Sequence, residues 1–395
     1  MSALSQGAPR PPHGSGPLSL VRRANYAFKR RVLKSVMVVP RKTIGSQEYA
    51  ARTGVVWRPV ATSVPIVRRP PRKFGAIPGD FEGPRLAKAF PDMGVLELPG
   101  ATVVGPQAWV VTKDRYLLPD HTLHAAEPSM PYALPPTPVS RLKGKVASIS
   151  SDWSWRNYGH FLYDGLGRFE MLRRAGYSID EFDWFYVGWP FEGSKRLVER
   201  LGIPPEKIVR AERGRSYRCD LLVAPTFPGS RRDHPRWLIE FLRRELLPAT
   251  AHSGPPRRLY VRRTAARRVA NEAEIMPILE AHGFEVFDPT QDPEPPLAFA
   301  RAEAIVGVHG ANLADLCFAP ETAGLLEFTP TEHVNSYWYA QAETAGLDYG
   351  YIMCRSTSQR APGATRKGGE DVYVEPDELR EALAAMFPPT PTPVA

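Results

Sequence analysis

Residues 157–168 read N-Y-G-H-F-L-Y-D-G-L-G-R. On a helix, Asn157, His160, Asp164 and Arg168 fall at i, i+3, i+7 and i+11 and share one face. Phe161, Leu162 and Phe169 then face elsewhere, toward a core. A polar stripe on an otherwise apolar helix must find partners when it is buried. A carboxylate beside a histidine can serve general-base chemistry, and the sequence leaves Asp164 and His160 as alternatives for the base. The plainer reading is a helix-start network, with Asn157 or Asp152 as cap and Asp164 paired to Arg168.

A second stretch, 304–318, predicts a strand, a tight turn and a helix. The apolar run Ala304, Ile305, Val306, Val308 ends at His309-Gly310-Ala311-Asn312, and an apolar-periodic segment follows. Ligand crevices of open α/β sheets lie at the carboxyl ends of strands. A helix start there offers unpaired N–H donors and the positive end of a dipole, which suit phosphate. Gly310 permits close approach of backbone and ligand, and His309 can donate to a phosphate oxygen. A structural turn with Asn312 as cap is the alternative.

Residues 257–268, RRLYVRRTAARR, predict a strand whose end carries Arg262 and Arg263, with Arg267 and Arg268 in the loop beyond. These four would emerge on the same edge as His309. Guanidinium forks match phosphate geometry. Glu327, at the end of GLLEFTP, is expected on that edge too, accepting from ribose hydroxyls.

The elements that must position these residues follow from periodicity. VLEL, ATVVG, AWVVT and RYLL, between 94 and 119, read as strands. VASIS (146–150) is a strand leading into a helix from about Tyr158 to Arg174. DWFYVG, KIVRA and CDLLVAP alternate with helices at SKRLVERLG and HPRWLIEFLRRELLP. A break at His252–Pro256 precedes RRLYVRR. A helix over 271–282 opens at Asn271, with Glu274 in a capping-box arrangement and Pro277 inside it. FEVFDP, PPLAFARAE, AIVGV, GLLEFTP, VNSYWYAQAETAG, DYGYIMC and VEPDELREALAAM complete the order. Such alternation predicts a largely parallel α/β sheet.

The chain has 395 residues and a formal charge of +9. The length suits two domains, and the charge favours anionic partners. Three scattered cysteines (Cys219, Cys317, Cys354) fit a reduced cytoplasmic setting. No run approaches a membrane span. Residues 19–39 combine basic and apolar side chains. They read either as a helix making peripheral contact with an anionic membrane, on the inner face of the cell membrane, or as a solvated arm. No metal-ligand spacing, dinucleotide fingerprint, P-loop or nucleophile elbow is present, so neither metal nor cofactor is expected. A nucleic-acid-binding protein is a weaker reading of the charge, because no recognised motif accompanies it. A nucleotide-binding scaffold without catalysis is another.

Taken in order, the motifs resemble glycosyltransferase family 61. Its carboxyl half runs as a tyrosine-bearing strand ending in arginine, then R-x-x-N-E, H-G-A-x-L and E-x-x-P. Here these stand as Tyr260 to Arg263, Arg268 with Asn271-Glu272, His309-Gly310-Ala311 with Leu313, and Glu327 with Pro330. The upstream N-x-x-H-x-x-x-D stands as Asn157, His160 and Asp164. Asp315, where the family more often shows Asn, and Gly167, in place of a common Pro, depart from the pattern.

The resemblance covers about 95–355. It implies a GT-B-like fold, with two Rossmann-like domains whose parallel sheets face a cleft, plus a small N-terminal β-rich region. The expected divisions are a basic arm at 1–40, a β-rich region at 41–145, an acceptor domain at 146–252, a nucleotide-sugar domain at 256–386 and a disordered tail at 387–395. It further implies metal-independent, inverting transfer from a nucleotide-sugar donor to a glycan acceptor, in surface or capsular polysaccharide synthesis, with no nucleic acid involved. Asp164 and His160 would be catalytic. Asn157, Arg168, Arg262, Arg263, Arg268, Asn271, Glu272, His309, Gly310, Ala311, Asn312 and Glu327 would bind substrate.

Overall fold

A computed structural model describes residues 38, 40, 42–78, 86–122, 138–230, 232–360 and 368–388. Nearly all of the 19–39 stretch, and with it the membrane-contact expectation, lies outside them. The chain forms two compact units: Met1–Val64 with Pro91–Arg231, and Pro65–Phe90 with Arg232–Ala395.

The first unit is built on a ten-stranded mixed sheet. Its parallel part holds β1 (Val139–Ser148), β2 (Trp184–Val187), β3 (Ile208–Arg210) and β4 (Ser216–Pro225), in the spatial order β4-β1-β2-β3. Met93–Pro99 and Thr102–Val104 then pair antiparallel along β4. The β-rich stretch expected as a separate small region therefore extends the same sheet. Val103, Leu96, Val146, Tyr186 and Leu222 share one buried cluster.

After β1 the chain turns through 149–157 into a helix of three pieces: α-helical Tyr158–His160, a π-helical segment Phe161–Leu166, and α-helical Gly167–Arg174. Asn157 caps it. Its backbone is extended and its side chain accepts from the His160 N–H at 3.2 Å, satisfying one of the helix's orphan donors. Phe161, Leu162, Leu166 and Phe169 are buried as the periodicity required. The π-helical turn carries Asp164. Such widened turns recur at functional sites, and nothing in the residue pattern signals this one.

The second unit holds a seven-stranded sheet. Its strands β5 (Arg257–Val261), β6 (Glu285–Phe287), β7 (Ala302–Val308), β8 (Gly324–Pro330) and β9 (Asp348–Arg360) are parallel neighbours in the order β6-β5-β7-β8-β9. That is the doubly wound 2-1-3-4-5 order. Every residue of β8 is buried, as expected of a strand covered on both faces. Ile275 and Leu279 from the helix Glu272–Ala281, and Leu379 and Leu383 from Pro376–Met386, share a core with Val306, Val308 and Phe328. Pro277 sits inside its helix without ending it.

Two segments differ from the divisions expected from sequence. Arg236–Leu246 was placed before a break at 252–256, yet it belongs to the second unit. Arg243 donates to the carbonyls of Cys317 at 2.7 Å, Ala319 at 2.6 Å and Ala345 at 3.2 Å. The helix's apolar face shows that a sheet must cover it, but not which sheet. Likewise Arg72–Phe74, inside the Pro-rich 59–84 stretch, pairs parallel with β9, and Arg69 binds Glu343 and the Leu347 carbonyl. No helix among the described residues is long and apolar enough to cross a membrane.

Candidate active site

In the 2-1-3-4-5 order, strand order reverses between β5 and β7, so the ligand crevice is expected outside their carboxyl ends. Arg262 and Arg263 follow β5 directly, and His309 and Gly310 follow β7. Of these residues, Gly310 and Arg263 lie against one another. A Cβ on Gly310 would lie 1.6 Å from an Arg263 guanidinium nitrogen. The glycine is there because the guanidinium occupies the space of a side chain.

Arg263 donates to Asn312 Oδ1 at 2.6 Å and to the Ala266 carbonyl at 2.6 Å, while Asn312 Nδ2 donates to the Val261 carbonyl at 3.2 Å. Asn312 thus locks the guanidinium to the end of β5 rather than capping a helix. The helix expected after the turn is the 3₁₀ helix Ala311–Phe318. Both of these acceptors are neutral oxygens. Burial, and then the nearby Arg267 cation, pull its pKa down to about 9. It remains charged at neutral pH, and an anion beside it would relieve both burdens.

His309 is buried, and its Nδ1 lies 2.5 Å from Glu327 Oε1. The other Glu327 oxygen accepts from the Tyr349 hydroxyl at 2.6 Å. With a carboxylate as acceptor, Nδ1 carries the proton and Nε2 is left for chemistry or binding. The His309 ring lies 5.2 Å from His333 and 6.4 Å from Trp338, centroid to centroid. Glu327 is fully buried, so it cannot meet a ribose hydroxyl as expected from sequence. Its place is behind His309. Burial, then the Glu327 carboxylate, push the Tyr349 phenol well above its usual range, so it stays a donor. Tyr349→Phe leaves a buried carboxylate oxygen short of a donor. The expected cost is about 1–3 kcal/mol, seen as a lower denaturation midpoint; an unchanged midpoint would mean that Glu327 does not depend on Tyr349.

Four further candidates, Arg262, Arg268, Asn271 and Glu272, are engaged within the protein. Arg268 pairs with Asp371, its guanidinium nitrogens at 3.1 and 2.6 Å from one carboxylate oxygen, and so ties its loop to 368–373. Arg262 and the Tyr260 hydroxyl share Glu272 Oε1, at 2.9 and 2.8 Å. Asn271 exchanges hydrogen bonds with the backbone of Val374 and donates to Glu274 at 2.9 Å, without capping the helix backbone.

In the first unit, His160 Nδ1 lies 2.6 Å from Asp164 Oδ2; their side chains are 24% and 2% exposed. Burial alone would lower the His160 pKa. The Asp164 carboxylate, with help from Asp152, outweighs that and raises it. His160 is thus the more exposed member of the pair. Arg168 is fully buried, donating to the carbonyls of His121 and Pro225. It cannot touch substrate as expected. Burial lowers its pKa to about 10, while Asp152 and Asp164 oppose that, so it balances their charge from inside. Asp152, tied to the Trp109 indole, is a member of this cluster that the helix periodicity did not reveal as such. Among the described residues, no group of three or more His, Cys, Asp or Glu side chains is placed to hold a metal ion.

The described residues thus hold a doubly wound unit with arginines at its switch point, and a second α/β unit with a histidine–carboxylate pair. Residues 158–326 match the family model for Glycosyltransferase 61, the family that the motifs resemble. The match takes in His160, Asp164, Arg263 and His309, and stops one residue short of Asn157 at one end and of Glu327 at the other. A match over that stretch suggests glycosyl transfer, which takes a donor and an acceptor substrate. No curated protein matches the chain.

Proposed function

We propose that the protein is an inverting glycosyltransferase of GT-B-like organisation, moving a sugar from a nucleotide sugar to a glycan in surface or capsular polysaccharide synthesis. The second unit binds the donor and the first activates the acceptor. The observation that carries this reading is the locked Arg263 guanidinium, with Arg267 and His309 nearby, at the topological switch point of a doubly wound sheet. A diphosphate there supplies a negative partner for Arg263, whose guanidinium donates to two neutral oxygens. As the bond from the anomeric carbon to the leaving phosphate oxygen breaks, fixed donors there stabilise the charge that develops.

On the acceptor side, His160 Nε2 takes the hydroxyl proton while Asp164 holds Nδ1–H and stabilises the imidazolium. The acceptor oxygen attacks the anomeric carbon, and the nucleoside diphosphate leaves with the bonding electron pair. One base and one displacement give inversion. Asp164, the other candidate base from sequence, is too buried to reach a hydroxyl and acts through the ring.

The test is thermal denaturation of the full chain with nucleoside diphosphates and nucleotide sugars, since a ligand that binds the native state stabilises it by mass action. Selective stabilisation by one nucleotide class supports the reading; none by any of them counts against it. Gly310→Ala displaces the Arg263 guanidinium, so the same ligand should lose its stabilising effect while the free protein's own midpoint falls by much less. A variant stabilised as well as the parent would remove Arg263 from the site.

A further inference from the structure

The carboxyl ends of β1, β2 and β3 lie on one sheet edge, and the loops leaving them carry aromatic rings interleaved with arginines. From β1 come Trp153, Trp155 and Arg156. From β2 come Trp189 and Phe191, and from β3 come Arg210 and Arg213. The Arg156 guanidinium sits 3.8 Å from the Trp153 ring centre and 5.2 Å from that of Trp155; Arg213 lies 4.8 Å from Trp155 and Arg210 4.5 Å from Trp189. The loops are packed together, because a Cβ on Gly188 would lie 2.9 Å from the Trp155 Cβ. The row runs up to the His160–Asp164 pair: the Trp153 and His160 rings are 6.4 Å apart, and Tyr158 lies 5.7 Å from Phe191.

Trp189 is buried, whereas other members of the row reach the surface. Phe191 is 53% exposed and is the one aromatic among the large hydrophobics exposed in the described residues. Arg156, Arg210 and Arg213 are exposed. Arg210 and Arg213 form no ion pair among the described residues. Of the nearby acids, Glu192 accepts from the Trp189 indole at 3.3 Å and Glu212 is 3.6 Å from Arg215. Lying against an indole limits a guanidinium's freedom while leaving its N–H edge open, so less entropy is lost when it grips an anion.

We propose that this edge is the acceptor subsite and that it selects an anionic glycan, a sugar chain bearing carboxylate or phosphate groups. The flat C–H faces of pyranose rings lie on Trp155 and Phe191, and the arginines take the acid groups, which brings a free hydroxyl to His160. This inference rests on the transferase reading above. Interleaved arginines and aromatic rings also suit single-stranded nucleic acid, but the row ends at the general-base pair, where a sugar hydroxyl is needed.

Binding to the full chain, followed by tryptophan fluorescence at low salt, tests it with four probes: tetragalacturonate, its neutral methyl ester, a phosphorylated mannose oligosaccharide and a single-stranded oligonucleotide. Tetragalacturonate or the phosphoglycan should bind at least tenfold more tightly than the neutral ester, and which of the two does so identifies the acid group. The preference should weaken with added salt and fall severalfold in Arg213→Ala and in Arg210→Ala. Equal binding of acid and ester, no binding of any glycan, preference for the oligonucleotide, or unchanged binding by both variants would each overturn the proposal. Nucleotide-sugar stabilisation of the same protein is read separately. If it persists without an acid preference, only this inference fails; if it is absent, the transferase reading fails whatever the glycans do.

Discussion

His160→Gln should lower turnover by roughly 10²–10⁴-fold, the span that loss of a general base produces, while leaving donor binding near that of the parent. Of the pair, the His160 side chain is 24% exposed and that of Asp164 2%. Asp164→Asn should also slow turnover, by a different route and with different side effects. It removes the carboxylate that raises the His160 pKa, so the alkaline-rising limb of the rate profile should move to lower pH. It also takes one of two nearby negative charges from buried Arg168, so stability should fall, as it does when a buried charge loses a partner. The sign of the pH effect on stability follows. A histidine whose folded pKa is raised contributes stability below its unfolded value near 6.5, and that contribution is lost as pH rises through the folded pKa. His160→Gln should flatten that part of the stability curve. If His160→Gln turns over at the parent rate, the base lies elsewhere and the pair is structural.

Arg263→Ala carries the second large effect. A charged hydrogen bond is worth about 1.5–3 kcal/mol, so nucleoside diphosphate affinity measured by calorimetry should fall by roughly tenfold to more than a hundredfold. The folded state should lose little, because the guanidinium's partners are two neutral oxygens and its neighbour Arg267 repels it. Arg268→Ala should show the reverse balance. It leaves Asp371 buried without its cation, lowering stability with a smaller direct effect on the ligand. Equal loss of affinity in both variants, or none in Arg263→Ala, would remove the distinction drawn between a binding arginine and a bracing one.

Much of this arrangement was legible in the residues, because strand order within a βα alternation places strand ends on a common edge. RRLYVRR and AIVGVHGA each announce a strand that stops in polar residues, so Arg263 and His309 could be assigned to one crevice before the sheet order was known. The 3.6 period likewise put His160 and Asp164 in contact. What the sequence could not supply was depth. Glu327 and Arg168 look like site residues by type and spacing, yet both are fully buried. Residue identity says that a charge needs a partner but not whether that partner is a ligand or a neighbouring strand. Tyr349 was missed for a related reason. Its hydrogen bond to Glu327 crosses from β9 to β8 and depends on a register that no local pattern encodes. The platform of Trp153, Trp155, Phe191, Arg210 and Arg213 was invisible because it draws on three loops that the sheet alone brings together.

The most direct test of the account follows the stereochemistry of transfer. Once a stabilising nucleotide sugar has been found, proton NMR of the first product formed on an acceptor glycan reads the anomeric configuration before any mutarotation. A single displacement with His160 as base predicts a product inverted relative to the donor, formed with stoichiometric release of nucleoside diphosphate and lost in His160→Gln. Retention of configuration, or product that accumulates as fast in that variant, would contradict it.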